Sequence, residues 1–199
     1  HSGPPDIPCQ RFGGLALSGE LKLKKNVLSE QQMARALRRM AGEILEHNGG
    51  VDGLMLVGIR TRGVPLAEGL AAEIERSEGK TVPIGVLDIT LYRDDLSVIA
   101  PQPVVKETRL PGPVEDQTLV LCDDVLYTGR TIRAALDALT DYGRPKAVQL
   151  AVLIDRGHRE LPIQADFVGR KIASDPDELV EVRFVATDGE DKVMIMEPE

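Results

Sequence analysis

Apolar runs of strand length alternate with helical segments along most of this chain, and that alternation constrains the fold more than any other feature. Four runs are predominantly apolar: residues 54–59, 82–91, 119–122 and 148–154. Strands without a polar face suit a parallel sheet that is covered on both sides. Because helical periodicity separates the runs, the sequence predicts a doubly wound parallel α/β sheet, which binds ligands beyond the carboxyl ends of its strands.

The segment before the first run carries clear helix signals. Ser29 and Gln32 have the spacing of a capping box, and the Asn-Gly-Gly sequence at 48–50 ends the helix. One face of this helix is apolar: Met33, Leu37, Met40 and Ile44. The opposite face carries Arg35, Arg38 and Arg39. A basic stripe of this kind, taken alone, is more typical of a solvated helix face than of a nucleic-acid contact.

Composition narrows the possible functions. The chain has 199 residues and a net charge of −8, which argues against nonspecific binding of nucleic acid over the whole surface. Its 3% of aromatic residues is too few for a module that stacks bases, and Cys9 and Cys122 alone make neither a disulfide framework nor a zinc site. No apolar run approaches the roughly 20 residues of a membrane helix. We expect a cytoplasmic protein without a signal peptide, with a loosely ordered leader at 1–26 and one domain at 27–199.

The most specific segment is 119–131, in which a buried strand, two acidic residues and a turn precede a helix. Asp123 and Asp124 repel each other, so they need hydroxyl donors or a cation. Backbone N–H groups at a helix start bind anions, and Thr128 and Thr131 add hydroxyl donors there. A vicinal diol beside a monophosphate describes a ribose 5-phosphate. The alternative is a capped turn with a solvated acidic pair, which the complete arrangement disfavours.

This segment resembles the 5-phosphoribosyl-1-pyrophosphate (PRPP) binding motif of type I phosphoribosyltransferases. The resemblance implies their fold, with a small hood made by the terminal segments. It assigns PRPP and UMP contacts to Asp123, Asp124, Val125, Leu126, Tyr127, Thr128, Gly129, Arg130 and Thr131. The segment Thr61, Arg62 and Gly63 is similar to the family's pyrophosphate loop, where Gly63 would let the backbone approach the ligand. Asp123, Asp124 and Arg62 would be the catalytic residues.

Two further segments resemble a narrower family, the pyrimidine operon regulators that are also uracil phosphoribosyltransferases. Residues 88–96 are similar to the start of a flexible catalytic loop, which would span 92–117 and close over the substrate. The implied loop residues are Asp88, Tyr92, Arg93, Asp94 and Asp95. Residues 155–162 are similar to the segment that frames the base, with Asp155 and Arg156 as candidates for the uracil pocket. A plain buried turn is nearly as good an interpretation of that pair.

The resemblance implies two activities. Uracil and PRPP would give UMP and pyrophosphate, with Mg²⁺ carried by PRPP and no dedicated protein cage for the metal. The protein would also bind a hairpin in the leader of a messenger RNA, more tightly with UMP bound, and so promote transcription attenuation. The candidate RNA-binding residues are Arg35, Arg38, Arg39, Arg156, Arg159 and Arg170. The resemblance further implies a homo-oligomer, a dimer or higher.

Two alternatives stay open. A dedicated base-salvage phosphoribosyltransferase would turn over its base without binding RNA. A ligand-sensing regulator would bind UMP and RNA with negligible turnover. The first helix has Gly42 and His47 where the resemblance leads us to expect other residues, so any RNA contact made there is expected to differ from that of the best-known members.

Overall fold

The computed structural model describes residues 20–95 and 105–199. In chain order the elements are β1 (Leu21–Leu28), α1 (Glu30–Asn48), β2 (Leu54–Ile59), α2 (Gly63–Glu78), β3 (Ile84–Leu87), β4 (Thr118–Leu126), α3 (Arg130–Leu139), β5 (Ala147–Asp155), β6 (Phe167–Lys171), β7 (Leu179–Arg183), α4 (Val185–Asp188) and β8 (Lys192–Pro198). Short 3-10 helices lie at Thr90–Tyr92 and Thr140–Tyr142. No helix within the described ranges is long and apolar enough to cross a membrane.

Five strands form a parallel sheet in the order β3-β2-β4-β5-β6. Alternate residues of β2 face opposite layers: Leu56 joins a core with α1 and α2, whereas Val57 joins a second core under α3. Both faces of β2 are therefore buried, as its continuous apolar sequence requires. This arrangement confirms the predicted doubly wound sheet, with β4 at its centre.

The first helix forms where its local signals predict. The Ser29 side chain accepts from the Gln32 N–H at 3.4 Å, and the Gln32 side chain accepts from the Ser29 N–H at 3.0 Å, so the capping box is complete. Gly49 ends the helix in the left-handed conformation at φ 68°. Glycine adopts the left-handed conformation at little cost because it has no Cβ, so the helix ends at this residue.

The other three strands form an antiparallel sheet, β1-β8-β7, that serves as the hood. The boundary predicted for the leader is wrong in one respect, because residues 21–26 belong to β1 and pair with β8. These residues are exposed, so they lack the buried alternation that marks a strand in a sequence. Hydrogen bonds to the backbone of β8, which is distant in the sequence, hold these residues in a strand.

Two strands differ from their predicted bounds. β3 is shorter than 82–91, since Pro83 precedes it and the Asp88 carboxylate accepts from the Thr90 N–H to form a turn after it. β4 is longer than 119–122, because its pairing with β5 continues to Leu126. The strand thus carries the acidic pair within it, and the turn before α3 shortens to residues 127–129.

Candidate active site

The predicted ligand-binding segments meet at the carboxyl edge of the sheet. β2 and β4 are neighbours, with Gly58 paired to Cys122, so the loop after β2 lies beside the acidic pair. A Cβ added to Gly63 would overlap the Cys122 carbonyl oxygen and lie 3.3 Å from the Cα of Asp123. We predicted glycine here for close approach to a ligand; the close approach in the structure is to the β4 backbone.

The acidic pair is held by its own strand. Asp123 is 8% exposed, and its carboxylate accepts from the Asp124 N–H at 3.0 Å. The Asp124 carboxylate accepts from the Val125 N–H at 2.9 Å. Burial, followed by the neighbouring charge of Asp124, raises the pKa of Asp123 well above its usual value. Burial also raises the pKa of Asp124, against the opposing effects of its hydrogen bonds and of the Arg62 charge.

This pairing is costly in the absence of a ligand. Two adjacent carboxyl groups with raised pKa values favour a shared proton, or else donors that stabilise the charge. The hydroxyls of a ribose ring are such donors, and a positively charged ribosyl carbon would be stabilised by the same carboxylates. The site therefore suits a sugar on which positive charge develops.

The turn at 127–129 leads into the start of α3. Gly129 has φ +93°, a backbone conformation that favours glycine, and a Cβ there would lie 3.3 Å from Ile163. Within the described ranges, the backbone N–H groups of Thr131 and Ile132 make no hydrogen bond to another part of the chain. Open N–H groups at a helix start suit a phosphate.

Hydrogen bonds within the protein support that turn. The Thr128 carbonyl accepts from the Glu160 N–H at 3.0 Å and from the Leu161 N–H at 3.1 Å. The Thr128 hydroxyl accepts from the Arg130 N–H at 3.3 Å. The Arg130 guanidinium lies at 2.7 Å from both Glu160 and Asp94, so its charge is directed at carboxylates of the protein. Its backbone belongs to the predicted phosphate site, whereas its side chain ties neighbouring loops to the helix.

The pyrophosphate loop contains the cis peptide bond between Arg60 and Thr61. Thr61 is exposed, and the side chain of Arg62 is 19% exposed. The guanidinium of Arg62 forms a double ion pair with Asp188 of α4, at 2.6 and 3.0 Å, and donates to the Val182 carbonyl at 2.6 Å. No signal near Arg62 in the sequence indicated Asp188, because the two residues are 126 positions apart.

Asp155 and Arg156 do lie beside the ligand-binding turn, but their polar atoms are occupied. Asp155 accepts from Arg159 at 2.7 Å and from the Gly157 N–H at 3.0 Å. Arg156 is 4% exposed, stacks over the Tyr127 ring at 4.2 Å, and donates to the Ser174 hydroxyl and the Asp175 carbonyl. This geometry favours the buried-turn interpretation of the pair. The uracil contact stays a prediction.

The residues assigned to the flexible loop form its stem. Asp88 accepts from Thr90 and from the Lys106 N–H, so it joins the two sides of the loop. Tyr92 donates to Asp141. Arg93 pairs with Asp95 at 2.8 Å, and Asp94 reaches α3 through Arg130. Residues 96–104 of the predicted loop lie outside the described residues.

The candidate RNA-binding arginines do not form one free surface. Arg35 is exposed, and Arg38 lies 3.8 Å from Glu73 with its side chain 70% exposed. Arg39 donates to Glu43 and to the carbonyls of Val168 and Gly169, which fastens α1 to β6.

The other three arginines are also engaged. Arg170 donates to the Val27 carbonyl at 3.0 Å, and Arg159 donates to the Tyr127 and Ile163 carbonyls. Arg156 is buried, so the prediction that its side chain extends the RNA surface is wrong. Burial follows from its stacking on Tyr127, a contact that the sequence spacing did not indicate.

Comparison with known proteins agrees with this geometry. The phosphoribosyl transferase domain family matches residues 24–184. A hypoxanthine phosphoribosyltransferase from Staphylococcus aureus superposes with a TM-score of 0.64 over 89% of this chain and 93% of that one, at 20% identity. The Trypanosoma cruzi enzyme gives 0.66 over 89% and 98%, at 15% identity, so these likenesses concern the fold alone. The sheet and its strand-end site define a protein of the phosphoribosyltransferase class.

Relatives with much higher identity narrow this class. The bifunctional protein PyrR of Pelotomaculum thermopropionicum is 58% identical over 174 residues, which are 87% of this chain and 96% of that protein. The proteins of the same name from Deinococcus radiodurans and Thermus thermophilus are 54% and 56% identical, over 88% and 90% of this chain and 96% and 99% of their own lengths. The chain belongs to the family of bifunctional PyrR proteins.

Proposed function

We propose that this protein transfers a phosphoribosyl group from PRPP to uracil and also binds a leader hairpin of messenger RNA in response to UMP. The observation that carries the catalytic part is the acidic pair Asp123–Asp124 beside the open helix start of α3. The pair takes the ribose hydroxyls, and the turn at 127–129 with the first residues of α3 takes the 5-phosphate. A single ligand, ribose 5-phosphate, satisfies both halves.

The transfer exchanges one bond at the ribosyl carbon for another. The bond from C1 of the ribose to the pyrophosphate oxygen breaks, a bond to N1 of uracil forms, and the N1 proton is lost. Positive charge grows on the ribose as pyrophosphate leaves, so carboxylates fixed beside the ring stabilise the transition state more than the ground state. Burial raises the pKa of both carboxyl groups, so a positive charge next to them favours their ionised form.

Mg²⁺ enters this proposal with the pyrophosphate. Magnesium prefers phosphate oxygens, water and at most one or two carboxylates to a cage made by the protein. The acidic pair provides that kind of donor, and the ion would neutralise charge on the departing pyrophosphate. The chain's own contribution there is the loop at 61–63, with backbone N–H groups and the Arg62 guanidinium.

The RNA-binding part is supported by the family to which the chain belongs and by the exposed arginines Arg35 and Arg38 on α1. Phosphate contacts by exposed arginines supply affinity that falls with salt. UMP would strengthen the binding if it favours the RNA-binding conformation, and RNA would then tighten UMP by the same factor. A homo-oligomer is part of the same proposal.

One experiment tests the catalytic part. Formation of UMP from uracil and PRPP with Mg²⁺ is measured for the wild-type protein, with hypoxanthine, guanine and orotate as competing bases. Asp123→Asn and Asp124→Asn should each lower turnover about ten-fold or more, equal to about 1.4 kcal/mol per decade. Glu68→Gln, which changes an exposed carboxylate on α2, is the control and should turn over normally. Wild-type turnover in both aspartate variants would contradict the assignment.

A second experiment tests the RNA part. Gel-shift titration with the candidate operon leader, with and without saturating UMP, should give binding that UMP strengthens. Turnover with no RNA affinity at low salt would identify a dedicated salvage enzyme. RNA and UMP binding with negligible turnover would identify a ligand-sensing regulator.

A further inference from the structure

The hood makes a defined contact with the pyrophosphate loop through one ion pair. Asp188 ends α4, between β7 and β8, and its carboxylate faces the guanidinium of Arg62. Each side chain is 19% exposed. Fork-to-fork pairs of this kind fix the orientation of the guanidinium plane as well as its position. Asp188 therefore sets the position and the orientation of the Arg62 guanidinium.

The donor count of Arg62 shows what this pair leaves available. A guanidinium has five N–H groups. Nη1 donates to Asp188 Oδ2 and to the Val182 carbonyl, and Nη2 donates to Asp188 Oδ1. Within the described part of the chain, Nε–H and the second N–H of Nη2 make no hydrogen bond. These two groups lie on the same edge of the guanidinium, so a complete two-pronged donor remains for an anion.

Asp188 is itself held firmly. Its Oδ2 also accepts from the Phe184 N–H at 2.9 Å and from the Thr187 hydroxyl at 2.8 Å. Burial opposes the charged form, but hydrogen bonds from Arg62, the Phe184 N–H and Thr187 outweigh it and lower the pKa of Asp188 to about 2. The carboxylate is thus ionised under ordinary conditions, and it is attached to the hood through Phe184, which is 5% exposed and part of the core.

We propose that Asp188 is a positioning residue, which fixes Arg62 so that its remaining pair of N–H groups receives the pyrophosphate of PRPP. This inference rests on the proposed function, because it needs a pyrophosphate ligand at the loop of residues 61–63. A positively charged side chain on an exposed loop would otherwise lose rotamer freedom when it bound the ligand. The Asp188 pair removes that freedom beforehand, and it makes the hood a part of the pyrophosphate site.

The charge of Asp124 also acts on Arg62. Asp188, Asp124 and Glu181 all favour the charged form of Arg62 and raise its pKa, with Asp188 contributing most. Arg62 thus lies within electrostatic reach of the acidic pair as well as of the hood. A guanidinium placed between the ribose carboxylates and the hood is suitably located for the group that leaves the ribose.

The test compares ligands with and without pyrophosphate. Calorimetry measures the affinities of PRPP, inorganic pyrophosphate with Mg²⁺, and UMP for the wild-type protein, Asp188→Asn and Asp188→Glu. Asp188→Asn should weaken PRPP and pyrophosphate about ten-fold to a hundred-fold, the range that follows loss of a supporting partner. UMP, which carries no pyrophosphate, should keep its affinity within about two-fold. Asp188→Glu, which retains the charge, should restore part of the loss.

Two controls keep the result interpretable. Glu190→Gln removes another hood carboxylate, paired with Arg183 at 2.7 Å and not with Arg62, and should leave all three affinities unchanged. In the background of Arg62→Met, the substitution Asp188→Asn should have no further effect on pyrophosphate, because a positioning residue acts only through its partner.

The outcomes separate this inference from the proposed function. A wild-type protein that binds neither PRPP nor pyrophosphate would overturn the proposed function. Normal wild-type binding with unchanged or tighter pyrophosphate in Asp188→Asn would overturn the positioning role, the tighter case because Asp188 would then compete with the ligand. An equal loss for UMP and pyrophosphate would also overturn it, since the residue would then only support the fold.

Discussion

Replacing Gly58 by alanine tests how closely the pyrophosphate loop packs on the sheet. Gly58 lies in the buried strand β2, and a Cβ added there would be 2.6 Å from the Cα of Val64 and 2.8 Å from the Gly63 carbonyl oxygen. Two carbon atoms settle at about 3.5 Å or more, so the loop would have to move by about 0.9 Å. Both neighbours are backbone atoms, so no side chain can rotate to relieve the overlap.

The magnitude follows from that displacement. Overpacking of a core costs about 1–3 kcal/mol of folding free energy. A shift of about 1 Å in a group that positions a substrate costs up to about a hundred-fold in activity. Gly58→Ala should therefore unfold at lower urea and lose about ten-fold to a hundred-fold in kcat/KM for PRPP. UMP should lose less affinity, because the phosphate site that we propose for it lies at the start of α3, away from this loop.

The assay combines urea denaturation with steady-state kinetics on one preparation. The matched control is Gly42→Ala in the exposed face of α1, where an added Cβ has nothing within 4 Å. The same substitution should stabilise the protein there by about 1 kcal/mol, since alanine favours a helix over glycine. Wild-type stability and wild-type PRPP kinetics in Gly58→Ala would refute the close packing of loop on strand.

Three further predictions concern the acidic pair, the turn at 127–129 and the exposed arginines of α1. Because burial raises the pKa of Asp123, this group stabilises the fold below its usual pKa and loses that contribution as pH rises through the raised value. Asp123→Asn should thus be more stable than wild type at pH 7, and this difference in stability should shrink as the pH falls. Urea denaturation midpoints across pH measure the difference, and a less stable variant at pH 7 would contradict the prediction. Thr128→Val removes a hydroxyl that also accepts from the Arg130 N–H, so calorimetry should show weaker UMP and PRPP but unchanged uracil, and an equal loss for all three would indicate misfolding. Arg38→Gln should weaken RNA in a salt-titrated filter assay without loss of stability. Arg39→Gln should lower stability by about 0.5–1.5 kcal/mol, because α1 loses its hydrogen bonds to two carbonyls of β6. Equal stability of the two variants would refute that distinction.

Local signals determined those parts of the fold that depend on neighbours in the chain. The capping box at Ser29 and the glycine at 49 set the limits of α1 because each acts within one helical turn. The apolar runs predicted the parallel sheet, since a strand buried on both faces leaves no polar position. The segment 119–131 brought together the acidic pair and the helix start, because all its parts lie on one strand–turn–helix unit.

Contacts between distant segments were decided by the tertiary structure. Arg62 was predicted to serve a ligand, but nothing near it in sequence indicated its pairing with Asp188 in the hood. Arg39 and Arg156 looked alike as basic side chains, yet one fastens α1 to β6 and the other is buried against Tyr127. An arginine has a long side chain and five donors, so its partners are set by whichever carbonyls and carboxylates folding brings near.

The difference between local signals and long-range contacts also explains why the limits of β1 were not predicted. Its exposed residues have no burial pattern, and hydrogen bonds to β8 alone give them strand geometry. Periodicity in a sequence records which side chains are buried, whereas backbone pairing at an exposed edge leaves no such record. The sequence by itself therefore determined the central sheet, α1 and the ribose-phosphate segment. The hood, the exposure of the arginines and the partner of Arg62 were decided only by the tertiary structure, because each depends on contacts between residues that are far apart along the chain.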